Sequence, residues 1–418
     1  MPYRVLAVRK SSVPLGLALL CFALGAAAAE PYTVDGAIRA AAQALRSRLS
    51  LEEEAAQVLL VGIDGKGFPS PQALALLSRV PLGGVLLFGF NVPQKARDLG
   101  LFTAAVQEAA AKNGSGLPFI VAMDDEGGTV FRFHGDDVTR LPSPLAAARR
   151  GPEFVRFLGE ASGRELRALG VNLALAPVVE ALTAGNSGFL GTRSYGSDPA
   201  VVDADALAFI EGLQSQGVAA VAKHFPGNTG ADPHKGLAYL DVDRKTYERL
   251  LLPRFASALG NDSGRTGRGA AVVMLSHVIV PSIDPSDPAS LSPRFVEGEL
   301  KKGLDFRGVA LTDDLYMKAL TDRVPPERSA VEALAAGDDL LMISMQGASL
   351  RIRDAIVRAV RSGELRRSRL DEACERVIEL KLAFGMDQAL DAALRERRLA
   401  AFPSLVASDR EKLLAWNR

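Results

Sequence analysis

The sequence predicts an α/β fold, a single-domain (β/α)8 barrel of the TIM type followed by a C-terminal helical tail. Short apolar, β-rich runs recur eight times along the chain, with helical stretches in several of the gaps between them. Alternation of this kind gives parallel strands joined by crossover helices, and eight units close into a barrel more readily than they lie open. Polar groups also gather directly after these runs, where a barrel carries its functional residues. No glycine-rich phosphate loop follows the first run, which argues against a nucleotide-binding doubly wound sheet.

Before the barrel, residues 1–29 read as a secretory signal peptide. Arg4, Arg9 and Lys10 precede a charge-free stretch from Ser11 to Ala29 that ends in Ala26-Ala27-Ala28-Ala29. A positive head, an apolar middle and a small-residue end describe a leader cut near Ala29. Its last third is too rich in alanine and glycine for a good membrane anchor. Cys21 follows Leu20 rather than a small residue, which speaks against a lipid attachment site. The expected protein is exported, periplasmic or extracellular, mildly acidic once the three leader cations are removed, and free of stable membrane insertion. Cys374 is then the only cysteine, so no internal disulfide is expected and stability must come from the core.

The barrel itself is expected over residues 30–385. Ser50-Leu51-Glu52-Glu53 forms a capping box that opens a short helix. Strands follow at Val58–Val61, Gly84–Phe88, Phe119–Met123, Leu173–Ala176, Ala219–Lys223, Ala271–Ser276, Gly308–Thr312 and Leu340–Ile343. Helical patterns span Gln94–Ala111, Pro152–Leu169, Val202–Gln216, Thr246–Leu259, Leu350–Ser362 and Arg369–Phe384. Residues 386–418 form the charged, Arg-rich tail, read as a surface helix packed on the domain. Hydrophobic content of 48% with 23% charged residues is that of an ordinary soluble globular protein. A formal net charge of zero, with no long basic run, points away from nucleic acid.

The strand ends carry the chemistry. Asp124-Asp125-Glu126-Gly127-Gly128 follows the third strand, Pro177 and Glu180 the fourth. Lys223-His224 ends the fifth, His277 follows the sixth, and Asp313-Asp314 the seventh. Beyond Lys223-His224-Phe225-Pro226-Gly227 comes Asp232-Pro233-His234, so this short stretch holds half of the four histidines. Paired carboxylates and histidines at one rim suit a sugar site or an acid/base centre. Arg132 could alternatively pair with Glu126 or Asp125, and Lys223 with Asp313. His277 reads as packing or support, and His134 as a surface residue.

Taken in order, these motifs make the chain resemble glycoside hydrolase family 3, in its single-domain β-N-acetylhexosaminidase branch. The likeness covers about residues 50 to 385. It rests on Gly83 to Gly89, Asp124 to Gly128 with Arg132, Arg193-Ser194-Tyr195-Gly196, Lys223 to Gly227, Leu291-Ser292-Pro293 and Thr312 to Met317. The resemblance implies a retaining glycosidase that removes terminal, non-reducing β-linked N-acetylglucosamine from peptidoglycan fragments or chitooligosaccharides. Asp313 is the implied nucleophile, forming a covalent glycosyl-enzyme. His234, oriented by Asp232, is the implied acid/base, and an imidazole titrating near neutrality suits that task. Asp124, Arg132, Arg193, Lys223 and His224 are the implied contacts to sugar hydroxyls.

The chain also departs from the family pattern. The loop before Asp232 is shorter than usual, Asn228 stands where histidine or aspartate is common, and Pro233 replaces a serine. Thr129 stands where the family often has arginine. Proline restricts both its own backbone and that of Asp232, so a stiffer dyad is expected. A phosphorylase, in which phosphate replaces water, stays open, because a neutral histidine repels an anionic acceptor less than a carboxylate does. A non-catalytic sugar-binding wall protein of the same fold is the third reading. A metal site built from Asp124, His224, His277 and Asp313 is disfavoured by the adjacent lysine. Neither metal nor other cofactor is expected, and the protein is expected to be a monomer.

Overall fold

The computed structural model describes residues 34–133, 135–260 and 269–416. The expected leader over 1–29 and His134 lie outside the described residues. Eight parallel strands form one sheet: β1 (Leu59–Gly62), β2 (Gly84–Leu87), β3 (Ile120–Met123), β4 (Leu173–Ala174), β5 (Ala219–Phe225), β6 (Val272–Leu275), β7 (Val309–Thr312) and β8 (Leu341–Ile343). Each pairs with its sequence neighbour, and β1 pairs with β8 in the register Leu59 to Leu341. A bridge between Leu311 and Leu340 brings β7 onto β8, so the barrel is nearly closed.

All eight expected runs contain a strand, and the differences are local. The fourth strand is shorter than its apolar run, leaving the segment before Pro177 to single contacts such as Leu175 N–H to the Met123 carbonyl. The fifth runs on to Phe225, and its register on β6 shifts between Lys223 and Phe225. An irregularity of this kind re-aims side chains at the end of a strand.

Alternation along the strands separates two packed regions. Leu60, Leu86, Ile120, Leu173, Val221, Val272 and Leu311 belong to the barrel interior, whereas Leu59, Val61, Val85 and Val121 pack outward with the helices. At the N-terminal mouth, Leu380, Phe384 and Met386 join the interior cluster as a plug. Lys381 is buried there and donates to Gln57 Oε1 at 2.7 Å. Burial pushes its ammonium down to about 7.

The Ser50–Glu53 capping box is present, with the Glu53 carboxylate accepting from the Ser50 N–H at 2.8 Å. The helix expected over Thr246–Leu259 divides into Arg244–Thr246, a wide turn Tyr247–Leu251, and Leu252–Ala258. Pro253 has no N–H to continue the α pattern there, which accounts for the break. The tail forms a short turn, Met386–Leu390, and a helix, Ala392–Trp416. Phe402 and Val406 are buried beneath that helix, and Trp416 meets Phe154 edge-on at 5.3 Å. Arg164 donates to both Asp409 carboxylate oxygens, at 2.6 and 3.2 Å.

Candidate active site

A cleft of about 300 Å³ opens among the carboxyl ends of the strands. Asp124, Arg132, Arg193, Lys223, His224, His234 and Asp313 all line it. Seven of the eight residues singled out in the sequence are therefore brought together, and the eighth, Asp232, holds His234 from behind.

One wall is a charge network. Lys223 is buried, and its Nζ donates to Asp124 Oδ1 at 3.1 Å and to the Leu175 carbonyl, with Glu126 Oε1 at 2.7 Å. Arg132 donates twice to Asp124 Oδ2, at 2.8 and 3.2 Å. Arg193 grips Glu126 through two parallel bonds of 2.8 Å. Burial alone would raise the Asp124 carboxyl, but Lys223 and Arg132 outweigh it and hold it down at about 2. Glu126 is likewise lowered, with Lys223 and Arg193 overcoming its burial. Two ionised carboxylates thus keep three cations in fixed positions, and charge-assisted hydrogen bonds of this kind are strong and directional. Glu126 is the missed anchor here: Arg132 pairs with Asp124 rather than Glu126 or Asp125, and Lys223 does not pair with Asp313.

A second carboxylate, Glu180, organises the turn after β5. It accepts from the His224 N–H at 3.1 Å and lies 3.0 Å from His224 Nδ1. It also accepts from the Asn228 N–H at 2.6 Å and from Asn228 Nδ2 at 2.9 Å. A carboxylate oxygen accepts, so the imidazole is the donor at Nδ1 and its Nε2 is left without a partner from Glu180. Glu180 had been visible only as a polar residue after the fourth strand; nothing in the spacing marked its partners.

Asp313 follows β7, and its backbone N–H donates to the Leu275 carbonyl at 2.9 Å. Its Oδ1 accepts from the Asp314 N–H at 2.8 Å. Asp314 turns the other way and accepts from the N–H groups of Tyr316 and Ser344, at 3.1 and 2.9 Å. Buried His277 lies 3.0 Å from the Asp314 carbonyl through Nε2 and 2.7 Å from the Ser290 hydroxyl through Nδ1. A carbonyl only accepts, so Nε2 carries the proton, and burial lowers the imidazole and keeps it neutral.

The Asp232–His234 pair stands at the open edge. Asp232 Oδ1 lies 2.8 Å from His234 Nδ1 and accepts the His234 N–H at 3.0 Å. These bonds outweigh partial burial and lower the Asp232 carboxyl. Buried Pro233 accepts through its carbonyl from the Ala319 N–H at 3.1 Å, tethering the loop to the helix that follows Asp313.

The barrel, with a rim cleft that joins a carboxylate, a carboxylate-held histidine and a network of fixed charges, is the setting in which the comparisons place a glycoside hydrolase. Residues 50–380 match the glycosyl hydrolase family 3 N-terminal domain, and the chain belongs to that family. It is 33% identical over 346 residues to beta-hexosaminidase LpqI of Mycobacterium tuberculosis, covering 80% of this chain and 83% of that protein. It is 30% identical over 347 residues to beta-hexosaminidase A of Pseudoalteromonas piscicida, covering 76% of this chain but only 56% of that longer relative. A family 3 beta-N-acetylglucosaminidase from Paenibacillus superposes with a TM-score of 0.75 at 32% identity, over 81% of this chain and 63% of that structure.

Proposed function

We propose that the protein is a retaining β-N-acetylglucosaminidase that releases terminal, non-reducing β-linked N-acetylglucosamine. The observation that carries this reading is the shared cleft, where Asp313 and the Asp232-supported His234 face a wall of fixed charges. A β-hexosaminidase activity is also what the names of the similar proteins describe.

In the proposed first step, an Asp313 carboxylate oxygen attacks C1 of the bound sugar while His234 Nε2 gives its proton to the leaving glycosidic oxygen. The C1–oxygen bond breaks and a glycosyl ester forms. Asp232, bonded to Nδ1, fixes the ring orientation and stabilises the imidazolium present before transfer. In the second step, neutral His234 takes a proton from water as the water oxygen attacks C1, and Asp313 leaves as a carboxylate. Arg132, Arg193, Lys223, His224 and Asp124 hold sugar hydroxyls in this reading, with Asp124 accepting and Arg132, Arg193 and Lys223 donating. Wall fragments and chitooligosaccharides are the proposed substrates, met outside the cytoplasm if the leader directs export.

The test is release of N-acetylglucosamine from an aryl β-N-acetylglucosaminide, with the matching glucoside and added phosphate as controls. The reading requires free sugar as the product, and its loss in Asp313→Asn. A sugar phosphate formed only with phosphate would replace hydrolysis by phosphorolysis.

A further inference from the structure

A crossover helix ends at the amino ends of the strands, on the face of the barrel away from the cleft. There the end of the helix Pro152–Ala168 meets the turn Met386–Leu390 and the tail helix Ala392–Trp416. A cavity of about 140 Å³ lies between them and the helix Ala96–Ala110. Leu101, Ala104, Leu169 and Leu399 line it, and so do three arginines, Arg167, Arg395 and Arg398. The neutral polar side chains on its wall are already committed. Thr103 donates to the Leu169 carbonyl at 2.6 Å, and Gln107 exchanges bonds of 2.9 and 3.1 Å with the backbone of Phe119.

The arginines are short of counter-charge. Arg167 donates to the carbonyls of Gly217 and Phe384, at 2.7 and 3.5 Å, and to Gln388 Oε1 at 3.3 Å. Arg398 donates to that same amide oxygen at 2.8 Å. Among the described residues, no carboxylate forms an ion pair with either guanidinium; Asp387 and Asp391 act on them only from a distance. Arg395 donates to the Ala389 carbonyl at 2.6 Å and lies 3.5 Å from the mostly exposed Glu108, while its Nε is buried without a partner. Glu396, the other acidic residue on the wall, is exposed. Burial and the charge of Arg398 push the Arg167 guanidinium down to about 10, and burial lowers Arg398 as well. Two like charges on one neutral oxygen repel each other, and an anion in the cavity would relieve that repulsion.

At Gln388 an amide stands where a carboxylate would neutralise both guanidiniums at once. We propose that the cavity is a phosphate site, taking inorganic phosphate or a small phosphomonoester that clamps the tail helix to the barrel. A phosphate carries close to two negative charges near neutrality and offers oxygens in several directions, which suits guanidiniums arriving from two helices. A carboxylate brings one charge in one plane and satisfies one arginine at a time. Arg167 belongs to a barrel helix and Arg395 and Arg398 to the tail, so a single anion would hold the two together. Lying away from the cleft, the site bears on the seating of the tail and not on the sugar chemistry.

Calorimetric titration of the full chain with inorganic phosphate, at fixed ionic strength, is expected to give a Kd of about a millimolar or tighter. Phosphate at about tenfold above that Kd should raise the thermal midpoint by about two degrees relative to chloride. Arg398→Gln and Gln388→Glu should each weaken phosphate binding at least about tenfold. Gln388→Glu should also raise the midpoint measured without phosphate, because its carboxylate supplies the missing counter-charge. If Arg398→Gln fails to fold, Gln388→Glu alone decides. Tighter binding of glycerol 3-phosphate than of phosphate would make the ligand an ester whose carbons meet Leu101 and Leu399; the reverse order would make it the free ion. Arg132→Gln, in the cleft, should leave phosphate affinity unchanged. Affinity lost in Arg132→Gln and kept in Arg398→Gln would place the anion in the cleft and overturn the proposal. So would phosphate stabilising no more than chloride, or Gln388→Glu binding phosphate as the wild type does.

Discussion

Glu180 and His224 are joined twice: one carboxylate meets both the backbone N–H and the ring Nδ1 of the same histidine, at 3.1 and 3.0 Å. The side chain therefore cannot rotate without losing its partner, and the free Nε2 has a defined direction. In Glu180→Gln the amide presents a donor as well as an acceptor, so one of the four contacts becomes a clash of donors. KM is expected to rise about tenfold with kcat changed less than about threefold, the pattern for a lost binding contact. Steady-state kinetics on an aryl N-acetylglucosaminide checks this, with a thermal scan to show that the variant stays folded.

Asp313→Asn removes the proposed nucleophile without removing the acceptor for the Asp314 N–H. Turnover should fall by at least about a thousandfold, because covalent catalysis is lost outright. The thermal midpoint should move by no more than about two degrees, since the side chain is only partly buried and keeps its local bond. A large drop in stability with modest loss of turnover would make Asp313 a structural residue.

Asp232→Ala leaves His234 in place but frees its ring. On substrates with poor leaving groups the loss should be about a hundredfold, since protonation of the glycosidic oxygen is then demanding. On a nitrophenyl glycoside, which leaves with little help, cleavage of the glycosidic bond should suffer far less. Pre-steady-state measurement of that first step on the two substrates decides it. An equal effect on both would place the aspartate outside proton transfer.

Behind the cleft, Asp125 and Glu165 form a buried acidic pair around Ser162 and Thr139. Burial pushes each carboxyl up to about 7, and their mutual charge adds to the rise in Asp125. A carboxyl raised in the folded chain holds a proton that unfolding releases, so its stabilisation is complete below the ordinary value of about 4. It is lost as pH climbs through about 7. Stability should thus decline between pH 5 and about pH 8, and Glu165→Gln should make that decline shallower, gaining roughly 1–3 kcal/mol at the alkaline end. Denaturant unfolding at the two pH values measures it. A steeper decline in the variant would contradict the assignment.

The barrel was legible because each strand is a short apolar run and the crossovers are amphipathic, both local properties. Asp124, Lys223, His224 and Asp313 were legible because they end or directly follow those runs, whereas Arg132, Arg193 and His234 were reached only through the family resemblance. Their partners were not. Lys223 reaches Asp124 and Glu126 because β5 lies two strands from β3 and carries an irregularity at Lys223, facts of closure and register that sequence distance hides. Glu180 meets His224 and Asn228 for the same reason, across a strand boundary. The split at Tyr247–Leu251 depended on Pro253 inside an otherwise helical pattern, and the apolar periodicity had outweighed it.

The seam between β1 and β8 joins Leu59 to Leu341, and the helix Ala392–Trp416 reaches back to Phe154 and Arg164. A ribosome delivers Leu59 long before either partner exists. During that interval the nascent chain would carry a partial sheet with unpaired N–H and C=O groups along its edges, the condition that invites association with other chains. Newly made protein should accordingly depend on a holding chaperone until its last quarter emerges, and premature stop codons before Leu341 should yield aggregates rather than smaller enzymes.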